Sequence, residues 1–241
     1  MDKSKAKILI LVEGVRTDVR LMEHIFQTYG IDAKYEIVSY GTNIYVLYNE
    51  MFFDEKPEDM DILQVLKERE RDESKKLIFE QDFTDILLIF DLDPQDPQFS
   101  ENKISAMMKY FVESTDMGKL YLNYPMIEAF YHMTSIPDPE YNDRVAALTE
   151  LCGHTYKKRV NTENRNHDYS KFAVTREECN IVIGQNIEKG WRMLNANPDN
   201  ILPNASLILD RQIDMLSEHE KLYVLCTCVF FIAEYNPRLL K

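Results

Sequence analysis

The chain has 241 residues, of which 45% are hydrophobic and 29% are charged. Such a composition indicates a folded protein rather than a disordered one, and the length favours one domain, or one domain with a large appendage. The formal net charge of −13 excludes a broad surface devoted to nucleic acid, because binding phosphate requires lysine and arginine. Local basic patches remain compatible with this charge.

No segment of the sequence has the pattern of a membrane or secretion signal. Only about six apolar residues precede Glu13, too few for a signal peptide. The longest apolar run, residues 222–233, contains a threonine and is too short to span a bilayer. The cysteines lack the spacing of a zinc site and are predicted to be core thiols: Cys152, Cys179, Cys226 and Cys228. We therefore expect a cytoplasmic protein that has no membrane segment.

The first forty residues predict a β-α-β unit. A continuous apolar run over residues 8–12 is typical of a strand that is covered on both faces. Apolar residues then recur at helical spacing from about Thr17 to Gly30, and residues 35–40 form a second strand candidate. Two strands joined in this way are expected to be parallel, which indicates an α/β fold with a mostly parallel sheet flanked by helices.

The middle of the chain predicts two further strands. Residues 43–80 are interpreted as a helical insertion, with a charged second half that forms a solvated face. A third strand is expected over residues 86–90, a helix from near Ser100, and a fourth strand over residues 118–124. Pro125 is then predicted in the first turn of another helix, where its missing N–H is tolerated.

The strand signal disappears in the second half of the chain. Residues 137–153 are interpreted as a loop and a helix, and residues 175–195 and 204–234 as further helices. The predicted organisation is therefore an α/β catalytic domain over residues 1–134, followed by a helical C-terminal region over residues 135–241.

Acidic residues follow three of the four predicted strands. Glu13 follows the first strand, Asp91 and Asp93 follow the third, and Glu128 follows the fourth at the start of its helix. Because the carboxyl ends of parallel strands lie along one edge of a sheet, these acids are expected to converge. Their mutual repulsion is most simply relieved by a divalent cation, and oxygen ligands favour Mg²⁺ or Mn²⁺ over zinc.

Each of these acids also has an interpretation that needs no metal. Glu13 and Glu128 are each well placed to interact with the positive end of a following helix. Asp91 and Asp93 are compatible with a polar turn before a proline. A shared metal site is a more economical explanation than all of these interpretations together, because each acid ends or follows a separate apolar strand.

Three segments resemble the motifs of Toprim domains. VEGVRTD, residues 12–18, is similar to the first motif, in which a glutamate-glycine pair follows the first strand and an acid opens the helix. FDLDPQD, residues 90–96, resembles the Asp-x-Asp motif. NYPMIEAFYH, residues 123–132, resembles the Asn-Pro-x-x-Glu-x-Trp segment of the OLD and RloB-like Toprim proteins, many of which are bacterial anti-phage or abortive-infection nucleases. The resemblance covers residues 6–134.

The chain departs from that pattern at two positions near the fourth strand. Tyr124 stands ahead of Pro125, and Phe130 stands where a tryptophan is common. Neither departure removes an acid. The region after residue 135 resembles no family.

The resemblance implies an Mg²⁺-dependent (or Mn²⁺-dependent) nuclease that acts on DNA or RNA, including tRNA, as an effector of antiviral defence. Carried over by motif, Glu13 would be a metal ligand or general acid/base, and Asp91 and Asp93 would hold the metal. Glu128 would be a further ligand or would orient one.

Three more residues are candidates near this site. Asp18 and Asp96 are expected to contact the metal ligands or their waters. His132 lies one helical turn after Glu128, so both side chains are candidates to face the same cleft. A structural role for this histidine on an aromatic helix is the alternative.

Residues 155–171, TYKKRVNTENRNHDYSK, are the candidate for contacting a nucleic-acid substrate. The candidates for phosphate contact are Lys157, Lys158, Arg159, Arg165 and Lys171, together with Arg16 beside Glu13. Tyr156, His167 and Tyr169 add rings suited to stacking on unpaired bases. An exposed basic loop that binds no partner is the alternative interpretation of this segment.

Other functions remain in competition with the nuclease. The strand before Asp91 also resembles the nucleophile strand of haloacid-dehalogenase-type phosphatases, which continue with Asp-x-Asp-Gly-Thr, whereas Pro94 and Gln95 follow here. An Asp-x-Asp motif also occurs in nucleotide-sugar transferases, but Glu13 and Glu128 would then be unexplained. A Toprim-like subunit that is non-catalytic, or silent until an ATPase partner releases it, is the non-enzymatic alternative. A homo-oligomer is compatible with each of these.

Overall fold

The protein, described here from a computed structural model, is built on a central sheet of five strands. The structure describes residues 6–31, 33–52, 60–115, 117–196 and 202–240. The strands are β1 (Lys7–Val12), β2 (Lys34–Ser39), β3 (Asp85–Asp91), β4 (Val112–Glu113) and β5 (Gly118–Asn123). Their order across the sheet is β2-β1-β3-β5-β4. The first three neighbouring pairs are parallel and β4 runs antiparallel to β5, which confirms the predicted α/β fold class.

The described residues include ten α-helices. They are α1 (Thr17–Tyr29), α2 (Ile44–Met51), α3 (Ile62–Arg69), α4 (Glu73–Phe79), α5 (Glu101–Tyr110), α6 (Leu148–Cys152), α7 (Tyr156–Glu163), α8 (Arg176–Met193), α9 (Ala205–His219) and α10 (Phe230–Tyr235). The predicted helical insertion corresponds to α2, α3 and α4, and residues 53–59 of it lie outside the described part of the chain. Ser100 caps α5 by accepting a hydrogen bond from the backbone of Lys103, as its position before the helix predicts.

The two central strands are apolar throughout because both of their faces are covered. Residues 8–12 of β1 are fully buried, and residues 87–90 of β3 are at most 1% exposed. Val12 pairs with Ile89 at the carboxyl end of this pair of strands, and Asp91 pairs with Asn123 of β5. The sheet therefore brings the residues that follow β1, β3 and β5 to one edge.

The segment after β5 differs from its prediction. Pro125 was expected in the first turn of an α-helix, but Met126 after it is extended, and a 3₁₀ helix over Ile127–Tyr131 begins only then. The peptide bond between Tyr124 and Pro125 is cis. Glu128 therefore lies in a short, tight helix that stays close to the strand end.

Two strands in the C-terminal half were missed. β6 (Val145–Ala147) and β7 (Lys221–Tyr223) form an antiparallel pair, so the prediction that residues 204–234 are helical holds for α9 and most of α10 but is wrong at β7. Each of these strands has three residues, too few for an alternating pattern to stand out in the sequence. The α9 helix ends at His219, where Glu220 adopts a left-handed conformation.

The residues after β7 are fastened to the end of β5. The backbones of Tyr124 and Leu225 exchange two hydrogen bonds, of 2.9 Å and 2.8 Å. The hydroxyl of Thr227 donates to the carbonyl of Leu122 at 2.8 Å, and the backbone N–H of Cys228 donates to Oδ1 of Asn123 at 3.3 Å. One hydrophobic core includes residues from both sides of the predicted boundary at residue 134.

The cysteine prediction holds for three of the four residues. Cys179, Cys226 and Cys228 are buried thiols, whereas Cys152 at the end of α6 is exposed, so its assignment to the core is wrong. Within the described residues, no helix combines the length and the apolar character needed to cross a membrane.

Candidate active site

Glu13 and Asp91 are brought into direct contact by the parallel pairing of β1 and β3. The backbone N–H of Glu13 donates to the carbonyl of Ile89 at 3.1 Å, which continues the ladder beyond the end of β1. The backbone N–H of Asp91 in turn donates to Oε2 of Glu13 at 3.2 Å. Two residues that are 78 positions apart in the chain therefore share one site, as the pattern of acids after strands predicted.

Asp93 is held at this site by an unusual backbone conformation. Its φ angle is +42°, a left-handed value that is uncommon for a residue with a side chain. Its N–H donates to the carbonyl of Pro125 at 3.3 Å, and its Oδ1 accepts a hydrogen bond from Nε2 of Gln95 at 3.0 Å. The turn predicted for the Asp-x-Asp-Pro segment is therefore present, and it places Asp93 beside the other acids.

Glu128 is paired with a lysine from the C-terminal half. Its side chain is almost fully buried, and its Oε1 lies 3.0 Å from Nζ of Lys157, the second residue of α7. Among the described residues its other oxygen, Oε2, is buried without a hydrogen-bond partner. Lys157, predicted only as a phosphate contact, thus belongs to the acidic site itself.

Asp18 fixes the loop that carries Glu13. Its Oδ1 accepts a hydrogen bond from the backbone N–H of Gly14 at 3.0 Å. A Cβ atom at position 14 would lie 2.6 Å from Oδ2 of Asp18, so a side chain there would displace the carboxylate of Asp18. Asp18 is buried, and it also lines the cavity described next.

A cavity of about 320 Å³ lies at the carboxyl edge of the sheet, and Glu128 does not line it but pairs with Lys157, which does. Part of its wall carries Glu13, Asp18, Asp91 and Asp93. The turn between α6 and α7 and the helix ends beside it contribute Glu150, His154 and Lys157. The volume is sufficient for a phosphodiester group and its neighbouring atoms.

Burial and neighbouring charges raise the pKa values of four carboxyl groups in and beside this cavity. Burial, followed by the charge of Asp93, raises the pKa of Glu13 to about 8, although the hydrogen bond from Asp91 N opposes the rise. Burial, followed by the charge of Glu13, raises the pKa of Asp91 well above its usual range. Burial also raises the pKa of Asp93 and of Glu128, and Lys157 opposes both increases.

The donor set of this cavity fits a hard divalent cation. The groups are carboxylate oxygens, the ligands that Mg²⁺ and Mn²⁺ prefer. Oε2 of Glu128 and Oε1 of Gln95 are both buried acceptors that lack a partner within the described residues. A cation near them would satisfy these oxygens and would offset the repulsion that raises the carboxyl pKa values. Glu13, Asp91 and Asp93 line the cavity and would hold it, and Glu128, which pairs with Lys157 beside the cavity, would join them once released from that lysine.

The acidic side chains are neighbours, but they do not converge on a single ion position. Within the described parts of the chain, no three His, Cys, Asp or Glu side chains are already spaced as the ligands of a single ion. Glu128 is turned toward Lys157 and Asp93 toward Gln95, whereas Glu13 accepts from Asp91 N. Each of these contacts gives one carboxyl group an opposite charge or a hydrogen-bond donor in its present position.

His132 and Asp96 lie away from the cavity. The side chain of His132 is fully buried, with Nδ1 at 3.1 Å from the hydroxyl of Tyr156 and Nε2 at 2.9 Å from Oε2 of Glu163. Burial lowers its pKa to about 4, so the ring is neutral. Asp96 accepts hydrogen bonds from the side chain of Asn43 at 2.7 Å and from Gln98 N at 2.7 Å. Both residues therefore have structural partners, and neither lines the cavity.

The predicted basic segment is a helix followed by a turn, and its cations divide into two groups. Arg159 is engaged by Glu150 and Glu163, and Arg165 pairs with Glu178 at 2.7 Å. The exposed cations are Arg16, Lys157, Lys158 and Lys171, of which Lys157 pairs with Glu128 and Lys171 with Asp168. The arginines of the first group are held in ion pairs within the protein. The cations of the second group are exposed, either beside the cavity or elsewhere on the surface.

The aromatic candidates in the same segment behave differently from one another. Tyr156 is buried, so its prediction as a stacking surface for a base is wrong. Tyr169 stacks on Tyr131 with ring centroids 4.2 Å apart, which leaves one of its faces to that contact. His167 is exposed.

The sequence did not single out several residues that shape the site. Gln95 and Asn123 orient Asp93 and Asp91, the latter through a 3.5 Å contact from Asn123 Nδ2 to Asp91 Oδ1. Both residues lie near the ends of predicted strands, and this position is the sequence signal that could have identified them. Glu150 and His154 reach the cavity only because α6 packs there, and no local pattern in the sequence predicts that packing. No protein-family model, curated protein or solved structure matches this chain.

Proposed function

We propose that this protein is a metal-dependent nuclease that hydrolyses phosphodiester bonds of DNA or RNA, tRNA included. The observation that carries this proposal is the contact between Glu13 and Asp91, with Asp93 beside them, at the carboxyl edge of a parallel sheet. A divalent cation would offset the repulsion among these three carboxyl groups when they are ionised, and the lysine at the same cavity suits a phosphate.

The proposed roles follow from the contacts of each side chain. Asp91, Asp93 and Glu128 hold Mg²⁺ or Mn²⁺, and Glu13 accepts the proton of the attacking water or serves as a further ligand. Glu13 suits this role because, within the described residues, Oε2 accepts from Asp91 N and the other carboxyl oxygen accepts no hydrogen bond. A divalent ion held there would supply charge to offset the negative charge that develops on the phosphate and would make a water easier to deprotonate.

The proposed substrate contacts are the exposed cations nearest the cavity. Lys157 lines the cavity itself, and Lys158 is its exposed neighbour on α7. Arg16 is exposed in the loop between Glu13 and α1. These three residues offer a short basic surface beside the acids, which is compatible with the strongly negative net charge of the whole chain.

The Toprim resemblance of residues 6–134 supports the same proposal. It extends the proposal to a cytoplasmic effector of bacterial anti-phage defence that works with an ATPase partner or as a homo-oligomer. A silenced form of the same nuclease is the second candidate, and the pairing of Lys157 with Glu128 favours it. In that form the lysine occupies a proposed metal ligand until a partner or substrate draws it away.

A cleavage assay tests the proposal. Purified protein with Mg²⁺ or Mn²⁺ is expected to nick plasmid DNA or to cleave total tRNA, and excess EDTA is expected to stop the reaction. Glu13→Gln should reduce the rate by about 10²-fold or more, because a positioned proton acceptor contributes on this scale. Glu23→Gln is the matched control, because Glu23 is exposed on α1 and away from the cavity. Full activity in Glu13→Gln would show that the catalytic assignment is wrong.

A further inference from the structure

His154 lies in the wall of the candidate active site, in the turn between α6 and α7. It is exposed, and it lines the same cavity as Glu13, Asp91 and Asp93. Within the described residues its imidazole forms no hydrogen bond and no ion pair, unlike His132 and His24, whose rings are bonded to the protein. It is therefore an imidazole at the cavity that is available to a ligand.

The backbone holds His154 in a conformation that few residues with side chains adopt. Its φ angle is +53°, in the left-handed region, and Asp93 in the same cavity has a φ angle of +42°. The N–H of His154 donates to the carbonyl of Leu151 at 3.0 Å, and that of Thr155 donates to Glu150 at 2.9 Å. Such conformations are unfavourable for residues with side chains and concentrate at functional sites. Two of them therefore border this one cavity.

The other titratable side chains of the cavity already have a proposed role, a hydrogen-bond partner or an ion-pair partner. From the strand ends, Asp91 and Asp93 are proposed metal ligands, and Asp18 is bonded to Gly14 N. From α6 and α7, Glu150 accepts from Ala147 N and from Arg159, and Lys157 pairs with Glu128. The hydroxyl of Tyr156 is bonded to His132. His154 is left as the group that faces these charges without a partner.

Hydrolysis of a phosphodiester needs a proton donor as well as a proton acceptor. The oxygen of the attacking water forms a bond to phosphorus, and the bond from phosphorus to the leaving sugar oxygen breaks with its electron pair. The proton of the water passes to Glu13, and the leaving oxygen must gain a proton from another group. An imidazole is well suited to donate it near neutral pH.

We propose that His154 is the general acid that protonates the leaving oxygen in the reaction assigned to this site. The inference rests on the proposed nuclease function. His154 gives its proton to the sugar hydroxyl that departs, and it regains one from solvent after the product leaves, which its exposed position permits.

The variant that tests this role is His154→Asn. Asparagine tolerates the left-handed conformation and keeps a polar side chain, but it cannot act as an acid. We expect cleavage of a normal oligonucleotide to slow by roughly 10²- to 10⁴-fold, while the melting temperature stays unchanged. The fall in cleavage rate at high pH that the general acid causes should also be absent from the pH–rate profile of this variant. His219→Asn is the matched control, because His219 is exposed at the end of α9 and does not line the cavity.

A sulfur leaving group separates proton donation from binding. Once the wild-type products have shown which bond breaks, the leaving oxygen of the oligonucleotide is replaced by sulfur, which departs without being protonated. On this substrate His154→Asn and the wild type should cleave at rates within a few-fold of each other. An equally large defect on both substrates, or no defect on the normal one, would overturn the role of His154. Failure of the wild type to cleave either substrate would instead overturn the proposed function and this role with it.

Discussion

The ammonium nitrogen of Lys157 lies 3.0 Å from Oε1 of Glu128, so a side chain that is 63% exposed neutralises one that is only 4% exposed. The two residues come from opposite sides of the predicted boundary at residue 134. Removal of a carboxylate from water is unfavourable unless a charge or hydrogen bonds compensate for it. Lys157 provides that compensation from α7, and its exposed side chain is free to turn toward a bound phosphate.

Replacement of Lys157 with glutamine should tighten the binding of Mn²⁺. The lysine competes with a cation for Glu128, and its charge also acts on Asp91 and Asp93. Loss of one positive charge a few ångströms from the ion should improve its binding by about 1–2 kcal/mol, or roughly 5- to 30-fold. Isothermal titration calorimetry without substrate measures this change.

The control for that experiment is Lys158→Gln, because Lys158 is exposed and has no ion pair within the described residues. Its Mn²⁺ affinity should match that of the wild type. Weaker binding of Mn²⁺ by Lys157→Gln than by this control would contradict the competition.

The metal-free protein should lose stability as the pH rises from 6.5 to 8. The pKa of Glu13 rises from 4.5 in its ordinary state to about 8 in the folded protein, chiefly through burial. Over this interval the folded state holds a proton that the unfolded state has lost, so an increase in pH favours unfolding by up to about 1.4 kcal/mol per pH unit for one such group. Chemical denaturation in EDTA at several pH values measures the slope.

Two additions sharpen that measurement. Glu13→Gln should be more stable than the wild type at pH 8 and should show a smaller slope, because its amide does not titrate. Saturating Mg²⁺ should restore the wild type at high pH, because the ion binds the deprotonated carboxylates of the folded state. An unchanged slope in Glu13→Gln would show that Glu13 does not hold this proton.

Replacement of His132 with leucine should weaken the fold. His132 joins Tyr156 to Glu163 through hydrogen bonds of 3.1 Å and 2.9 Å, and its loss leaves the buried hydroxyl of Tyr156 unpaired, whereas Glu163 keeps its two arginines. We expect the free energy of unfolding to fall by about 1–3 kcal/mol. Urea denaturation at neutral pH measures this loss.

The same variant has a pH signature. The folded-state pKa of His132 is lowered from 6.5 to about 4, so its contribution is present above pH 6.5 and is lost as the pH falls toward 4. The difference between wild type and His132→Leu should therefore shrink between pH 7 and pH 5. A difference that grows on acidification would mean that the ring is charged in the folded protein.

Binding of single-stranded nucleic acid should depend on Lys157 and Lys158. A Lys157→Ala, Lys158→Ala double variant should bind a fluorescent oligonucleotide more weakly, and the slope of log K against log salt should fall by about 1.4. Lys34→Ala is the control, because Lys34 is exposed at the amino end of β2, the opposite edge of the sheet. Equal slopes in the double variant and the control would remove α7 from the proposed binding surface.

Arg165 belongs to a different class from these lysines. It pairs with Glu178 at 2.7 Å, so Arg165→Gln is expected to lower the melting temperature. The salt dependence of binding should stay as in the wild type, because its guanidinium is already used inside the protein. Differential scanning fluorimetry together with the binding titration distinguishes the two effects.

The sheet was predictable from the sequence because its central strands are apolar without interruption. Residues 8–12 and 86–90 carry that signal, and the acids that follow them are placed by chain geometry alone. The short pair β6 and β7 has no such signal, because each strand spans three residues and pairing far along the chain determines it.

The site was predictable only where the residues adjoin strands. Glu13, Asp91 and Asp93 follow the central strands and meet at the cavity, whereas Lys157 and His154 reach it through the packing of α6 and α7. That packing depends on contacts between distant segments, such as His132 with Glu163. Charge alone also failed to separate Lys158, which is exposed, from Arg165, which is paired.

The fastening of residues 225–228 onto the end of β5 has a consequence for the order in which the protein is made. Leu225, Thr227 and Cys228 complete the hydrogen bonds of Tyr124, Leu122 and Asn123, and Asn123 contacts Asp91. A nascent chain on the ribosome has made all of its acids long before it makes residue 228. The end of β5, and the contact of Asn123 with Asp91, therefore cannot reach their final hydrogen bonding until the chain has emerged past that point.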